Sequence, residues 1–316
     1  MLELSNLKQT RNPILEIMNF VLTLVASSNG AKLENKHFDQ LSKILQHEGI
    51  ARTSDTIWLS EKKAAEHTIT ANLETGLMEQ LRETLAIDQI DCFITPNKNR
   101  KKKLLLADMD STIVEGETLD DLAGYAGIKD QIAEITARAM NGELDFEGAI
   151  KKRVGLLKDL PQSTLNEALD NTKLNPGAKT LVKTMKKAGA TCILVSGGFT
   201  HFTQAIAEQC NFDYNHGNIL DIQSNKLTGN VIEPILDKHA KVSYLKEYTE
   251  QLNLNAMECF AVGDGANDLP MLKIAGTGIG YHPKDTVKSA IQNSILYGDL
   301  TTCLYIQGYS DEYIKT

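Results

Sequence analysis

The stretch LLLADMDSTIVEGETLD, residues 104–120, decides how most of this sequence is interpreted. It opens with a continuous apolar run, which is typical of a strand covered on both faces in a parallel sheet. Two similar runs follow, CILVSGG at 192–198 and CFAVGDG at 259–265, with helical periodicity between them. We therefore expect residues 104–316 to form an α/β domain with a doubly wound, mostly parallel, Rossmann-like sheet.

The first run ends in two carboxylates that point to the same side of the chain. Asp108 and Asp110 are two residues apart, and residues i and i+2 of an extended strand share a face. Two such carboxylates repel each other unless a cation lies beside them or one keeps its proton. Mg²⁺ fits, because it prefers oxygen ligands and usually takes one or two protein carboxylates with substrate phosphate. A polar turn at a strand end is the alternative for this pair taken alone.

The other two runs also end in residues suited to ligand binding. In VSGGFT, Ser196 precedes two glycines, which let the backbone approach an anion, and a helix start that favours phosphate. An ordinary strand-to-helix turn is the alternative there. In VGDGANDLP, Asp264, Asn267 and Asp268 crowd one loop with more polar groups than a structural turn needs. Ligands of open α/β sheets bind beyond the carboxyl ends of the strands, so we expect the three loops to converge.

In their order and spacing, these motifs resemble those of the haloacid dehalogenase-like phosphatases, over about residues 104–290. Within that family, the chain is most similar to the branch that hydrolyses phosphoserine. The stretches that carry this closer likeness are DMDSTIVEGETLD (108–120), RVGLLKDLP (153–161), LVSGGFT (194–200) and VGDGANDLPML (262–272). The resemblance implies hydrolysis of a phosphate ester through a phospho-aspartyl intermediate.

The resemblance assigns a role to each acidic residue at the strand ends. Asp108 would be the nucleophile, since a carboxylate can attack phosphorus. Asp110 would protonate the leaving oxygen and then activate water. Mg²⁺ would be held by Asp108, the carbonyl of Asp110 and Asp264, and would neutralise the phosphate.

The remaining strand-end groups would contact the phosphate oxygens, on which negative charge is spread in the transition state. By resemblance, these groups are Ser196, the amide of Gly197, Asn267 and a lysine. The lysine maps best to Lys241, at the start of a helical segment. Lys238 is its nearest rival, and the residues alone do not decide between them. Asp268 would position the lysine and a metal-bound water.

Residues from about 118 to 175 have helical periodicity and lie between the first two core runs, so we expect a helical cap over the site. Thr118 and Asp121 have the spacing of a capping box at its start. Arg153 lies on an apolar stripe with Phe146, Ala149, Ile150, Val154 and Leu157. An arginine in that position needs an anion, which is either an acid of the cap or a substrate carboxylate.

The resemblance favours a substrate carboxylate as the partner of Arg153. It also implies that Glu117 binds a substrate ammonium group and that Met140 and Phe146 line the pocket. Packing within the cap is the alternative for those two apolar side chains. An acid and an arginine in one pocket would together recognise an amino acid.

We therefore expect a Mg²⁺-dependent enzyme that hydrolyses O-phospho-L-serine to L-serine and phosphate, the last step of serine biosynthesis. One alternative is a phosphatase or phosphotransferase of the same family that acts on another small monoester, such as phosphohomoserine or phosphothreonine. An alternative of another class is a catalytically silent protein that binds amino acids, since a fold alone does not fix a function.

Residues 1–95 have a different pattern from the rest of the chain. Strand-like runs at 20–26, 53–59, 65–69 and 90–94 alternate with two helical patterns in the order β-α-β-β-α-β. This order matches a ferredoxin-like sandwich and resembles the ACT-type modules that sense amino acids. We expect an N-terminal regulatory or dimerisation domain, and the second alternative implies a homodimer.

Composition excludes several classes of protein. With 33 basic and 41 acidic residues among 316, the formal net charge of −8 argues against nucleic acid as the main partner. No run approaches the roughly 18 apolar residues of a membrane span. Residues 17–26 could imitate a signal-peptide core, but Glu3, Glu16 and polar residues within the run favour a buried strand. Five cysteines without metal-type spacing indicate a reducing, cytoplasmic location.

Overall fold

The computed structural model describes residues 19–70, 76–140 and 143–316. The first 18 residues of the predicted N-terminal domain lie outside the described residues, as do positions 71–75 and 141–142. Among the helices of the described ranges, none has the length and hydropathy needed to cross a membrane.

The N-terminal part of the chain folds into a small antiparallel sheet with two helices on one face. Its elements are β1 (Asn19–Ala26), α1 (Asn35–His47), β2 (Ala51–Arg52), β3 (Ile57–Ser60), β4 (Ala64–Thr70), α2 (Leu77–Leu85) and β5 (Ile90–Pro96). The strand order is β2-β4-β1-β5, and β3 also pairs with β4. Leu41 of α1 and Leu81 of α2 pack with Leu22 and Leu24 of β1 in an apolar core. The order matches the predicted β-α-β-β-α-β except that two short strands, β2 and β3, stand where one was expected.

The single strand predicted over 53–59 is wrong, because the chain pairs with β4 in two short pieces, β2 and β3. Between them, the Ser54 hydroxyl oxygen accepts a hydrogen bond from the Thr68 amide at 2.8 Å and so replaces a backbone partner. The Arg52 guanidinium donates to the Ser54 carbonyl at 2.6 Å. Bonds between side chains and backbone compete with a regular ladder, and here they interrupt the strand.

The second face of the small sheet is buried against the C-terminal part of the chain. Successive residues of a strand point to opposite faces. Val25, Ala64 and Phe93 accordingly point away from the N-terminal core. They pack in the apolar core of the C-terminal part. Two carboxylates, Glu66 and Asp91, are also buried.

Both buried carboxylates are paired with groups outside the small sheet. The Arg100 guanidinium donates to the two oxygens of Glu66 at 2.9 and 2.6 Å. Asp91 accepts hydrogen bonds from three successive backbone amides, at residues 296–298. Burial raises the pKa of Asp91, and these three amides oppose the rise. The two parts of the chain therefore share one buried and hydrogen-bonded interface.

The first four α-helices after the first strand of the large sheet form the cap. They are α3 (Thr118–Tyr125), α4 (Lys129–Met140), α5 (Phe146–Gly155) and α6 (Ser163–Asn171). A β-bridge between Val114 and Leu174 joins the two ends of this insertion. The cap also contacts the edge of the large sheet, where the Asp159 amide donates to the Leu227 carbonyl at 2.9 Å.

The C-terminal part is built on a seven-stranded sheet. Its strands are β6 (Leu104–Ala107), β7 (Thr191–Phe199), β8 (Tyr214–Gln223), β9 (Lys226–Ile232), β10 (Cys259–Gly263), β11 (Thr277–Tyr281) and β12 (Ser294–Ile295). The order is β12-β11-β10-β6-β7-β8-β9, and only the β8–β9 pair is antiparallel. The predicted mostly parallel α/β sheet is confirmed, and the hairpin at its edge is an addition that was not predicted.

Helices cover both faces of the large sheet. Leu105 and Ala107 of β6 face one apolar core, while Leu104 and Leu106 face another, which explains the continuous apolar run. The helices outside the cap are α7 (Ala178–Lys187), α8 (Thr200–Cys210), α9 (Lys238–Gln251), α10 (Leu269–Ile274), α11 (Asp285–Lys288), α12 (Thr302–Ile306) and α13 (Asp311–Lys315).

The three strands that carry the motifs are neighbours at the centre of this sheet, in the order β10-β6-β7. They are parallel, so their carboxyl ends lie at one edge. Ala107, the last residue of β6, pairs with Val262 on one side and Leu194 on the other. The loops that follow these residues therefore meet, as predicted.

Candidate active site

The chain turns sharply after β6, over Met109–Ile113, and presents both aspartates of the first motif at the sheet edge. The Asp108 amide still donates to the Val262 carbonyl at 3.0 Å, so Asp108 stays in register with β10. Ser111 has a φ of 55°, and its amide donates to the Gly116 carbonyl at 2.8 Å. Left-handed backbone is uncommon at a residue other than glycine, and here it closes the loop that leads into the cap.

Asp108 is buried and ion-paired with Lys241, which lies in the first turn of α9. The Lys241 ammonium group binds the carboxylates of both Asp108 and Asp268. Burial and the Asp268 charge raise the pKa of Asp108, and Lys241 opposes them. Burial alone would lower the pKa of Lys241, but the two carboxylates raise it above its usual value. Of the two lysines left open by the sequence, Lys241 thus lies at the carboxylates, and the side chain of Lys238 lies outside the described residues.

Asp268 organises the loop of the third motif. One of its oxygens accepts hydrogen bonds from the amides of Asp264, at 3.1 Å, and Gly265, at 2.9 Å. A Cβ atom on Gly263 would lie 2.4 Å from the carboxyl carbon of Asp268, so only glycine fits there. The loop after β10 is thereby held in one conformation.

Three carboxylates at this edge are close enough to hold one cation. An oxygen from each of Asp108, Asp264 and Asp268 lies within 4.8 Å of the others, and all three residues are buried. Buried carboxylates are costly without balancing positive charge, and an all-oxygen donor set is the one Mg²⁺ prefers. The residues therefore fit Mg²⁺. The cluster shares Asp108 and Asp264 with the predicted ligand set, whereas Asp268 binds two backbone amides of its own loop in addition to Lys241.

The Asp110 carboxylate connects the second motif to the cap. One of its oxygens accepts hydrogen bonds from the amide and hydroxyl of Thr118, at 2.8 and 2.7 Å. The other accepts a bond of 2.8 Å from the Ser196 hydroxyl, whose oxygen accepts the Gly198 amide at 2.7 Å. A Cβ atom on Gly198 would lie 3.0 Å from the side-chain oxygens of both Asp110 and Ser196, so a larger residue there would crowd this contact.

Thr118 is a site residue whose role the sequence analysis missed. The capping box expected of Thr118 and Asp121 is wrong, since Glu117 is the N-cap of α3 and its side chain makes no capping bond. Asp110 instead binds the start of the helix through Thr118, across eight residues of sequence. Carboxylates are favoured at helix N-termini, but this bond depends on the turn after β6.

Glu117 lies at the mouth of the site, beside a lysine that the sequence analysis did not single out. The Ser111 hydroxyl donates to the Glu117 carboxylate at 3.0 Å, and the Lys284 ammonium lies 3.6 Å from it. The same ammonium lies 3.2 Å from the Asp264 carboxylate. Burial and the Asp110 charge raise the pKa of Glu117, while Lys284 and Ser111 lower it. Lys284 reaches the site because β11, which precedes it, lies next to β10.

The cap contributes an aromatic ring and an arginine. Phe146 lies over the second motif, since a Cβ atom on Gly197 would be 3.4 Å from its ring. Arg153 donates to a backbone carbonyl of its own helix at 3.4 Å. Within the described part of the chain, no carboxylate lies within 4.0 Å of its guanidinium nitrogens. Burial lowers the pKa of Arg153, against the charges of Asp120 and Glu117. No described acid of the cap therefore pairs with this arginine.

The remaining predicted site residues are placed as follows. Asn267 is exposed in the loop after β10, with its side-chain oxygen beside Gly265. Gly197 holds the second motif in place, because its carbonyl accepts a hydrogen bond from the Asn218 side chain at 2.8 Å. Met140 ends α4, and its side chain lies outside the described residues.

Comparison with known proteins identifies the family to which this arrangement belongs. Residues 105–273, more than half of the chain, match the family of haloacid dehalogenase-like hydrolases. A probable phosphoserine phosphatase of Schizosaccharomyces pombe is 38% identical over 234 residues, which are 73% of this chain and 78% of that protein. A phosphoserine phosphatase of Streptomyces coelicolor is 38% identical over 216 residues, which are 68% of this chain but 53% of that protein.

A solved structure extends the likeness to the N-terminal part. The haloacid dehalogenase family hydrolase t0658 from Salmonella enterica serovar Typhi superposes with a TM-score of 0.80 at 30% identity. The superposition covers 91% of this chain and 98% of that one. Since the family match, the sheet order and the carboxylate cluster agree, the chain belongs to the haloacid dehalogenase-like hydrolases.

Proposed function

We propose that this protein is a phosphoserine phosphatase, which hydrolyses O-phospho-L-serine to L-serine and phosphate. The curated relatives from S. pombe and S. coelicolor bear that name, the first as a probable one. The observation that carries the proposal is the arrangement at the end of β6. There Asp108 is buried against Lys241 and within reach of Asp264.

In the first half of the reaction, a carboxylate oxygen of Asp108 attacks phosphorus. The bond from phosphorus to the seryl oxygen breaks, its electron pair stays on that oxygen, and a proton from Asp110 joins it. Lys241 faces the developing negative charge from a fixed position, which is how preorganised cations stabilise a transition state. Serine then leaves while the phosphoryl group is bound to Asp108.

In the second half, water attacks the same phosphorus atom. The bond from phosphorus to Asp108 breaks, and its electron pair restores the carboxylate. Asp110, which gave up its proton in the first half, accepts the proton of the water. The hydrogen bonds from Thr118 and Ser196 hold the Asp110 carboxylate in position for this step.

Mg²⁺ is the cofactor that these residues fit. Asp108 and Asp264 would hold it, with the Asp110 carbonyl as the third ligand implied by the family resemblance. Asp268 already binds Lys241 and two backbone amides, so we assign it to positioning. When bound, the cation neutralises the phosphate and favours the ionised form of Asp108.

Substrate selection is assigned to groups around the mouth of the site. Arg153 has no described acid as a partner and would bind the substrate carboxylate. Glu117 would bind the ammonium group, and Met140 and Phe146 would line the pocket between them. Ser196, the Gly197 amide and Asn267 would contact the phosphate oxygens. This assignment favours phosphoserine over phosphate esters that lack an amino-acid group.

The proposal is tested by phosphate release from L-phosphoserine with Mg²⁺, against phosphothreonine, phosphohomoserine and sugar phosphates. Selective turnover of phosphoserine that Asp108→Asn abolishes would support it. Asp39→Asn, at an exposed position of α1, is the matched control. Turnover of the other esters but not phosphoserine would overturn the substrate assignment, and no turnover with Mg²⁺ would favour a catalytically silent binding protein.

We also propose that the N-terminal part is a ferredoxin-like, ACT-type module with a regulatory or dimerising role. The antiparallel order β2-β4-β1-β5 with both helices on one face supports this assignment. Inhibition of the full chain by L-serine should then include a non-competitive component, and sedimentation equilibrium should give a dimer. Purely competitive inhibition of a monomeric chain would overturn both roles.

A cytoplasmic location completes the proposal. All five cysteines are buried and free, which is the state expected in a reducing compartment. A small phosphate ester, rather than nucleic acid or a membrane surface, is the expected partner. Recovery of the tagged chain in the membrane fraction or the medium would overturn this location.

A further inference from the structure

Lys284 is the residue at the site mouth that the proposed mechanism leaves without a task. It lies in the segment between β11 and α11, and its amide donates to the Asp264 carbonyl at 3.0 Å. Two residues earlier, His282 has a φ of 39°, and its ring nitrogen lies 3.0 Å from the Gly298 carbonyl oxygen. The backbone of this segment is thus held against the loop that follows β10, and this places Lys284 beside the site.

The ammonium group of Lys284 lies between two carboxylates, each of which binds a different cation in the proposed mechanism. It is 3.2 Å from Asp264, which would hold Mg²⁺, and 3.6 Å from Glu117, which would bind the substrate ammonium. In the described ranges, no other lysine or arginine nitrogen lies within 4.0 Å of either carboxylate. Lys284 therefore provides the positive charge that a metal ion and a substrate would bring.

The exposure of the two site lysines shows which of them can leave. Lys241 is buried, with 3% of its side chain exposed, and is bound on both sides. The side chain of Lys284 is 57% exposed, whereas that of Asp264 is only 7% exposed. A lysine head on a flexible stem can turn into water at little cost, while the buried carboxylate stays where it is.

We propose that Lys284 is a placeholder cation, which pairs with Asp264 and Glu117 until Mg²⁺ and the substrate ammonium displace it. Displacement by Mg²⁺ rests on the metal site of the family. Displacement by the substrate ammonium rests on the proposed function. An ammonium ion and Mg²⁺ repel each other when they share one carboxylate. Lys284 therefore competes with both ligands, and its removal strengthens their binding.

The first test titrates Mg²⁺ alone into the full, metal-free chain by calorimetry. Because exposed ion pairs are weak, we expect Lys284→Met to bind Mg²⁺ about threefold to fivefold more tightly than wild type. Lys284→Arg keeps the charge and should bind like wild type. Lys288→Met, an exposed lysine of α11, removes the same charge without the contact and should change little. Unchanged or weaker Mg²⁺ binding by Lys284→Met would overturn the proposal.

The second test separates the ammonium half from the metal half. We expect Lys284→Met to lower the KM for phosphoserine more than the KM for 3-phosphooxypropanoate, which lacks the amino group. Equal changes for the two esters would overturn the competition at Glu117. Tighter Mg²⁺ binding without turnover of phosphoserine would instead sink the proposed function and leave the metal half of this inference standing.

Discussion

The Ser196 hydroxyl donates a hydrogen bond of 2.8 Å to the Asp110 carboxylate and so joins the loops after two neighbouring strands. The oxygen of the same hydroxyl accepts a hydrogen bond from the Gly198 amide, so both the donor and the acceptor of Ser196 are engaged. A bound phosphate offers the hydroxyl hydrogen a second acceptor. In the proposed mechanism, Ser196 would therefore link the occupancy of the phosphate position to the hydrogen bonding of Asp110.

Ser196→Ala should reduce kcat by about 10²-fold, the usual effect of losing one donor to a developing oxyanion. The variant also leaves the Gly198 amide without its acceptor and Asp110 with only the two bonds from Thr118. Steady-state kinetics with phosphoserine measure the loss. Ser289→Ala, on an exposed hydroxyl beyond α11, is the control. Equal kcat values for the two variants would contradict the role given to Ser196.

Arg153→Lys should raise the KM for phosphoserine by roughly tenfold to a hundredfold, with a smaller effect on kcat. A lysine cannot reproduce the paired hydrogen bonds that a guanidinium makes to a carboxylate. Phosphoethanolamine lacks the carboxylate, so its KM should be the same for wild type and variant. The neighbouring exposed residue provides the control Lys152→Arg. A parallel rise in KM for both esters would place Arg153 on the phosphate or in the cap core.

Lys241→Met should destabilise the metal-free protein by about 3 kcal/mol, since it leaves two buried carboxylates unpaired. Adding Asp268→Asn to this variant should restore part of the stability, because one of the two charges is then removed. Urea unfolding at neutral pH provides the free energies. Lys246→Met, at an exposed position of the same helix, serves as the reference. Equal stability of the two single variants would show that the Lys241 contacts are not energetically significant.

Protonation of His67 should destabilise the fold in mild acid. This buried ring stacks on Phe38 with centroids 3.9 Å apart, and burial lowers the pKa of His67 from 6.5 to about 4. The unfolded chain then binds a proton that the folded chain does not bind. The contribution of neutral His67 to the free energy of unfolding is therefore complete above pH 6.5, and it is lost as the pH falls toward 4.

Between pH 7 and pH 5, this effect should cost about 2 kcal/mol of unfolding free energy. Other groups titrate in the same range, so the comparison is with His67→Gln, which keeps a polar partner for Thr56. Urea unfolding of both proteins at the two pH values measures the difference. The same pH dependence in both would show that another group is responsible.

The central part of the site could be predicted from sequence because each motif combines an apolar strand with polar residues at its end. The neighbouring positions of β10, β6 and β7 then bring Asp108, Asp264 and Ser196 together. Lys284 could not be found in this way. Its place depends on β11 being the next strand along, and a lysine after a strand carries no chemical signature of its own.

The edge hairpin was missed although a local signal for it exists. Ser224 and Asn225 form a two-residue turn between β8 and β9, and both have positive φ, of 51° and 60°. Such turns favour hairpins, most clearly when they contain Asn-Gly or Asp-Gly. With the sequence Ser-Asn, the signal for a hairpin is weaker, and the segment is equally typical of an ordinary polar loop. The interruption of the predicted strand at Ser54 was missed as well. There the Ser54 side chain, and not a backbone carbonyl, accepts the hydrogen bond of the Thr68 amide.

The interface around Asp91 bears on how such a chain evolves. In this chain, Phe93 of the N-terminal part lies in the core of the C-terminal part, and the Asp91 carboxylate binds the amides at 296–298, so the two parts are not independent of each other. A substitution on one side of this interface changes which residues are tolerated on the other side, because contacting positions are energetically coupled. We therefore expect the residues on the two sides of the interface to diverge together. Chimeras that combine the N-terminal part of one protein with the C-terminal part of a distant relative should fold poorly unless both sides of the interface come from one parent.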